Sequence, residues 1–235
     1  MLTRRHEHAA LTLLELTVTL VILMAVAGLV VPLLTTTTDA AERRATLANM
    51  HKLRDILLGT PDRPGYLQDM QSVAVDSKHS AIPAANINGV PEYLHDLFLQ
   101  PSSAPNFNIE SKLGWRGPYL TNATGRFHAG LDPSFAAYVD IGLVDPPAVL
   151  DGWGNPIVIQ WPSTGDPLET RAKYVRLVSA GPPTLPGLNG KLSVIDTLAS
   201  ELTPQDLTPN ERGNDIVLFL RVSDPYAPDV LKAGP

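Results

Sequence analysis

Leu11-Thr12-Leu13-Leu14-Glu15-Leu16-Thr17-Val18-Thr19-Leu20-Val21-Ile22-Leu23-Met24-Ala25-Val26-Ala27-Gly28-Leu29-Val30-Val31-Pro32 is the stretch on which the reading of this chain turns. From Leu11 to Thr38 the run is apolar or hydroxylated, and Glu15 is its one charged residue. At 1.5 Å per residue, about 20 residues span a bilayer core of ~30 Å. Leu16 to Leu34 nearly suffices. A charge at the centre of such a helix costs roughly 2.5–3.5 kcal/mol on insertion scales, and less near its edge. A segment that served only as an anchor would do better with leucine or valine in place of Glu15. The carboxylate therefore implies a task.

Ahead of the run lies a ten-residue leader with Arg4, Arg5 and the small pair Ala9-Ala10. Charge and hydropathy alone leave three plain readings. One is an ordinary signal peptide cut near Ala40 or Ala41, for which the run is long and carries an acid at its start. Another is a single-pass anchor. The third is a buried core helix, which the leader and the length oppose. Arg4 and Arg5 orient an inserted helix with its C-terminal side outside the cytoplasm.

The same residues resemble the N-terminal signal of type IV prepilins and of the pseudopilins of type II secretion. That family has a short basic leader and a small residue at the cut. A bulky apolar residue, Thr-Leu and a glutamate at the fifth mature position follow. If cleavage follows Ala10, Leu11 becomes the first residue and Glu15 the fifth. Ala10 stands where the family usually has glycine. The resemblance implies Ala10 and Leu11 as the processing site of a prepilin peptidase, with N-terminal methylation. It implies Glu15 and Pro32 as assembly residues, Glu15 neutralising the N-terminal amine of an adjacent subunit. Pro32 falls where the family often weakens its helix, and a proline inside a helix removes one backbone hydrogen bond at about 3 kcal/mol. The implied partners are that peptidase, other pilin or pseudopilin subunits, an inner-membrane assembly platform, and lipid before assembly. The implied location is the bacterial inner membrane, single-pass, with a periplasmic head that becomes part of a filament.

Composition bounds the rest. The chain has 235 residues, a net charge of −6 and no cysteine, so it is not stapled by disulfides. No basic patch is evident, which speaks against nucleic acid as a partner. Twenty-two prolines and 17 glycines point to many turns and long loops. No His-Glu-x-x-His, Gly-x-Ser-x-Gly or Walker loop occurs, and the histidines are scattered, so no enzyme is expected.

Beyond Thr38, Leu47, Met50, Leu53 and Leu57 recur at helical spacing, and Pro61 and Pro64-Gly65 close the run. Residues 61–150 carry weak signals; Ser80 to Gly89 and Gln100 to Asn108 read as loops, and Val90 to Leu99 as a short helix with Pro91 near its first turn. Three β runs follow, Pro156–Trp161, Lys173–Ala180 and Ile216–Val222, separated by Gly, Pro and Asn. The expected class is α+β. The resemblance makes it a pilin-like fold, a long N-terminal helix packed on a small C-terminal antiparallel sheet. The expected divisions are 1–10 leader, 11–38 membrane and filament-core helix, 39–60 amphipathic helix, 61–150 connecting region and 151–235 sheet with C-terminal loops. The alternative function is a membrane-anchored extracytoplasmic binding protein that does not polymerise.

Further motifs extend the resemblance. Gly114-Trp115-Arg116-Gly117-Pro118-Tyr119-Leu120 is similar to the Gly-Pro-Tyr-Leu segment of major pseudopilins. Asp151-Gly152-Trp153-Gly154-Asn155-Pro156 is similar to their turn into the first strand, with a structural role for Asp151, Trp153, Gly154, Asn155 and Pro156. Val178 to Pro182 and Gly213 to Ile216 resemble the strand-loop-strand that follows. Major pseudopilins hold calcium in that loop, so the resemblance implies Asn214 and Asp215 as ligands. Pro182-Pro183 replaces the family's early aspartate, and Asn189, Asp196, Asp206, Asn210 and Glu211 are the other oxygen donors nearby.

Overall fold

Leu13–Leu58 forms one 46-residue helix, α1. The computed structural model describes residues 13–70, 93–101, 104–139, 142–161, 173–184, 190–194 and 203–226, with only the backbone described for 29–37. Glu15 lies in the first turn, where an acidic side chain complements the helix dipole. The helix is continuous through Pro32, because one missing amide in so long a ladder does not end it. It stops where Gly59 takes φ +83, ahead of Pro61 and Pro64.

The chain divides into two compact units, Met1–Ala41 and Glu42–Pro235. In the second, Met50, Leu53 and Leu57 are buried on one face of α1, with Leu47 half-buried beside them. They pack with alternate residues of an antiparallel three-stranded sheet. Its strands are β5 (Val158–Gln160), β6 (Arg176–Ser179) and β7 (Ile216–Phe219), in the order β5-β6-β7. Earlier come the two-residue pairs β1–β2 (Gly59–Thr60 with Arg63–Pro64) and β3–β4 (Gly125–Arg126 with Pro147–Ala148). The described residues also include short helices α2 (Tyr66–Asp69) and α3 (Pro209–Arg212) and two 3-10 turns, Leu94–Leu97 and Pro133–Tyr138. The class is α+β.

Both faces of the sheet are buried. Ile159, Leu177 and Leu218 stand in register and pack with α1. Their neighbours Val158, Val178 and Val217 join a second core with Phe135, Tyr138, Leu192 and Leu207. Val175 and Leu177 thus face the α1 core while Tyr174 and Val178 face the second core, and neither face is solvated. Arg176 is fully buried, its Nε donating to Gln160 Oε1 across the ladder at 3.0 Å.

The expected helix over Val90–Leu99 is only the 3-10 turn Leu94–Leu97, within the described part of that stretch. Asp96 Oδ2 accepts the Tyr93 amide and closes the first turn. The Leu97 carbonyl accepts the amides of Tyr119 and Leu120 instead of continuing a helix, since Pro101 has no amide to offer it. The Ser80–Gly89 loop lies outside the described residues.

Candidate functional site

Every large apolar side chain from Leu13 to Met24, and Val26 after them, is exposed, on all sides of α1. Leu13 reaches 83 % exposure and Met24 70 %. A helix that is apolar all round belongs in a core or a membrane. The hydroxyls do not spoil this surface. Thr17 Oγ1 donates to the Leu14 carbonyl at 2.8 Å and Thr19 Oγ1 to that of Leu16 at 2.9 Å, so both are absorbed by their own helix. Glu15 is the only charge there. Ala10 and Leu11 lie outside the described residues, and of Pro32 only the backbone is described. Among the described residues no helix is long and apolar enough to cross a membrane; side chains of the apolar stretch are described only as far as Gly28.

The turn Asp151–Pro156 is a brace. Asp151 Oδ1 accepts the amides of Trp153 (2.9 Å) and Asn155 (2.8 Å), and Oδ2 accepts the Ser179 hydroxyl at 2.7 Å. Burial pushes the Asp151 carboxyl above its usual range, while hydrogen bonds from Ser179, Asn155 and Trp153 pull the other way. The Gly152 amide donates to Thr46 Oγ1 on α1, and Asn49 Nδ2 donates to the Leu150 carbonyl. A Cβ on Gly152 would overlap the carbonyl of Glu42, so only glycine lets the turn sit this close to the helix. Gly154 takes φ +87, and Pro156 bridges back to Leu150 before β5 begins. Trp153 is half-buried against the core under α1. One motif thus ties α1, β5 and β6 together, which is a structural role.

Asn214 and Asp215 bond to backbone groups of neighbouring loops. Asp215 Oδ2 accepts the amides of Ser193 and Val194, each at 2.8 Å. Asn214 Nδ2 donates to the Pro182 carbonyl at 3.2 Å. Asp206 caps Thr203, accepting from its amide and hydroxyl, and Glu211 does the same for Thr208. Asn189 and Asp196 lie outside the described residues. Calcium takes six to eight oxygens. Among the described residues no group of three acidic, histidine or cysteine side chains converges. Asp215 organises its loop through backbone amides. Asp215→Ala should lower stability by about 1.5–3 kcal/mol, the range for hydrogen bonds to a charged group. Urea unfolding of the full-length chain in mild detergent checks this. The loss should be equal in chelator and in millimolar calcium; a loss seen only with calcium would return a cation to Asp215.

Sequence reasoning missed three polar clusters. Arg176 meets Gln160, whose Nε2 donates to Tyr138 Oη and to the Val194 carbonyl. Arg212 pairs with Asp224 through two nitrogens. Asp69 takes Arg116 on one oxygen and the Tyr119 hydroxyl on the other. Only the last touched a recognised motif, the segment Gly114–Leu120. No family model matches this chain, and no curated protein or solved structure shows significant similarity to it.

Proposed function

We propose that the chain is a pilin-like structural subunit, a pseudopilin or minor pilin of a type II secretion pseudopilus or a related filament. The observation that carries this reading is the stretch of α1 from Leu13 to Gly28, apolar and exposed on every side with one carboxylate in its first turn. The second half of the same helix, by contrast, is covered on one face by the antiparallel sheet. The precursor is inserted in the inner membrane with its head in the periplasm. A prepilin peptidase cuts after Ala10 and methylates Leu11. The assembly platform then moves the apolar helix from lipid into a bundle of like helices.

In that bundle the Glu15 carboxylate meets the new N-terminal amine of a neighbouring subunit. Two charges attract strongly where the dielectric is low, and a lone one is costly there, so the pair enforces register. Breaking a buried pair typically costs about 3–5 kcal/mol. Glu15→Leu should therefore be processed and remain in the membrane, yet enter filaments poorly. The measurement is cross-linking between cysteines placed near the helix starts of adjacent subunits, with the assembly machinery present. Filament yield and cross-linking equal to wild type would remove the physical argument for the filament.

A further inference from the structure

A cleft of about 700 Å³ opens between the β1–β2 turn, α1 and the segment Arg116–Asn122. Clefts of about 300–1,000 Å³ commonly hold ligands. The charged side chains lining this one are Lys52, Asp55, Arg63, Asp69 and Arg116. Asp69 is consumed within the protein. Its side chain is 2 % exposed, one oxygen lies 3.0 Å from Arg116 Nη2, and the other accepts the Tyr119 hydroxyl at 2.9 Å. Arg116 is held from a second side, its guanidinium 4.2 Å from the centre of the Phe107 ring. Its side chain nonetheless stays 40 % exposed, and Nη1 and Nε have no other partner among the described residues. Lys52 and Arg63 are exposed and make no ion pair among those residues. The Arg116–Asp69 pair cancels in charge, and Lys52 and Arg63 then face one carboxylate, Asp55, a net positive lining in a chain whose net charge is −6. Ile56, Pro64 and Pro118 give the cleft apolar wall.

A pre-oriented guanidinium with an unused edge suits the planar fork of a carboxylate. The volume and the apolar wall suit several residues of chain rather than a lone ion. We infer that this cleft binds a short acidic peptide segment of a partner protein, with a carboxylate on Arg116 flanked by Lys52 and Arg63. The inference holds whether or not the chain polymerises.

The test uses the full-length chain in mild detergent and a fluorescent triglutamate peptide, read by anisotropy. The triglutamate peptide should bind at least about tenfold more tightly than its triglutamine counterpart, and more weakly as salt rises. Arg116→Met should weaken binding at least about tenfold, as loss of a charge-assisted contact does. Because that variant also strips Asp69 of its partner, the double variant Lys52→Ala/Arg63→Ala provides a second arm that leaves the Asp69 cluster whole. It too should lose affinity, while Lys191→Ala, outside the cleft, should not. Equal binding of the two peptides, or full affinity in the double variant, would overturn the proposal. So would inorganic phosphate competing at the concentration of the peptide, which would make the cleft a site for free anions.

Discussion

Asp224→Ala should lower the stability of the folded chain by about 3–5 kcal/mol, the cost typical of breaking a buried ion pair from one side. Arg212 Nη1 and Nη2 donate to the two oxygens of Asp224, each at 2.7 Å, with side-chain exposures of only 8 % and 5 %. Arg212 Nε donates to the Leu207 carbonyl, and its guanidinium lies 5.6 Å from the centre of the Tyr226 ring. Asp224 also accepts the Tyr226 amide. Removing the aspartate leaves a cation fixed in a site with little water. Urea unfolding of the full-length chain in mild detergent measures the loss. Arg212→Met with Asp224→Leu should recover much of it, because an apolar pair of similar volume often matches a buried ion pair. A loss under about 1 kcal/mol would show that water screens the pair as it does a surface one.

Leu53→Ala is the second large effect, expected at about 2–5 kcal/mol in the same measurement. Leu53 is 1 % exposed and packs among Met50, Leu57 and the α1 face of the sheet. Truncation there removes buried apolar atoms and leaves a cavity that a strand-covered helix can collapse only in part. The control lies on the same helix. Leu23 is 69 % exposed, so Leu23→Ala should change head stability by no more than about 0.5 kcal/mol. Equal effects at the two positions would contradict the contrast between the exposed apolar stretch before Gly28 and the packed face from Leu47 to Leu57.

The parts of the fold that could be read in advance were those with a period. Leu47, Met50, Leu53 and Leu57 recur every three or four residues, and β-branched runs bounded by Gly, Pro and Asn mark the three strands. The turn Asp151–Pro156 was legible as a motif, although its contacts with Thr46 and Ser179 were not, since they join residues far apart in the chain. The second buried face was hidden because its cover comes singly from Phe135, Tyr138, Leu192 and Leu207, with no common spacing. Arg176 was hidden because a charge in a strand normally signals solvent; its burial depends on Gln160 lying opposite in the register. Asp215 shows the limit for sites. An aspartate after asparagine in a loop does not announce which amides it accepts, and its bonds to Ser193 and Val194 join residues 22 and 21 apart in the chain. The cleft at Arg116 was invisible for the same reason, being assembled from α1, the β1–β2 turn and Arg116–Asn122.

The filament reading meets its most direct test in the mature N-terminus of the full-length gene product, recovered from the membranes of a cell that carries a prepilin peptidase. Intact-mass analysis should give a chain beginning at Leu11, heavier by one methyl group, with Ala10→Arg accumulating as full-length precursor. A chain beginning at Ala41 or Glu42 would make the residues before it a signal peptide, and an uncut Met1 would make them a permanent anchor; either result would contradict the account.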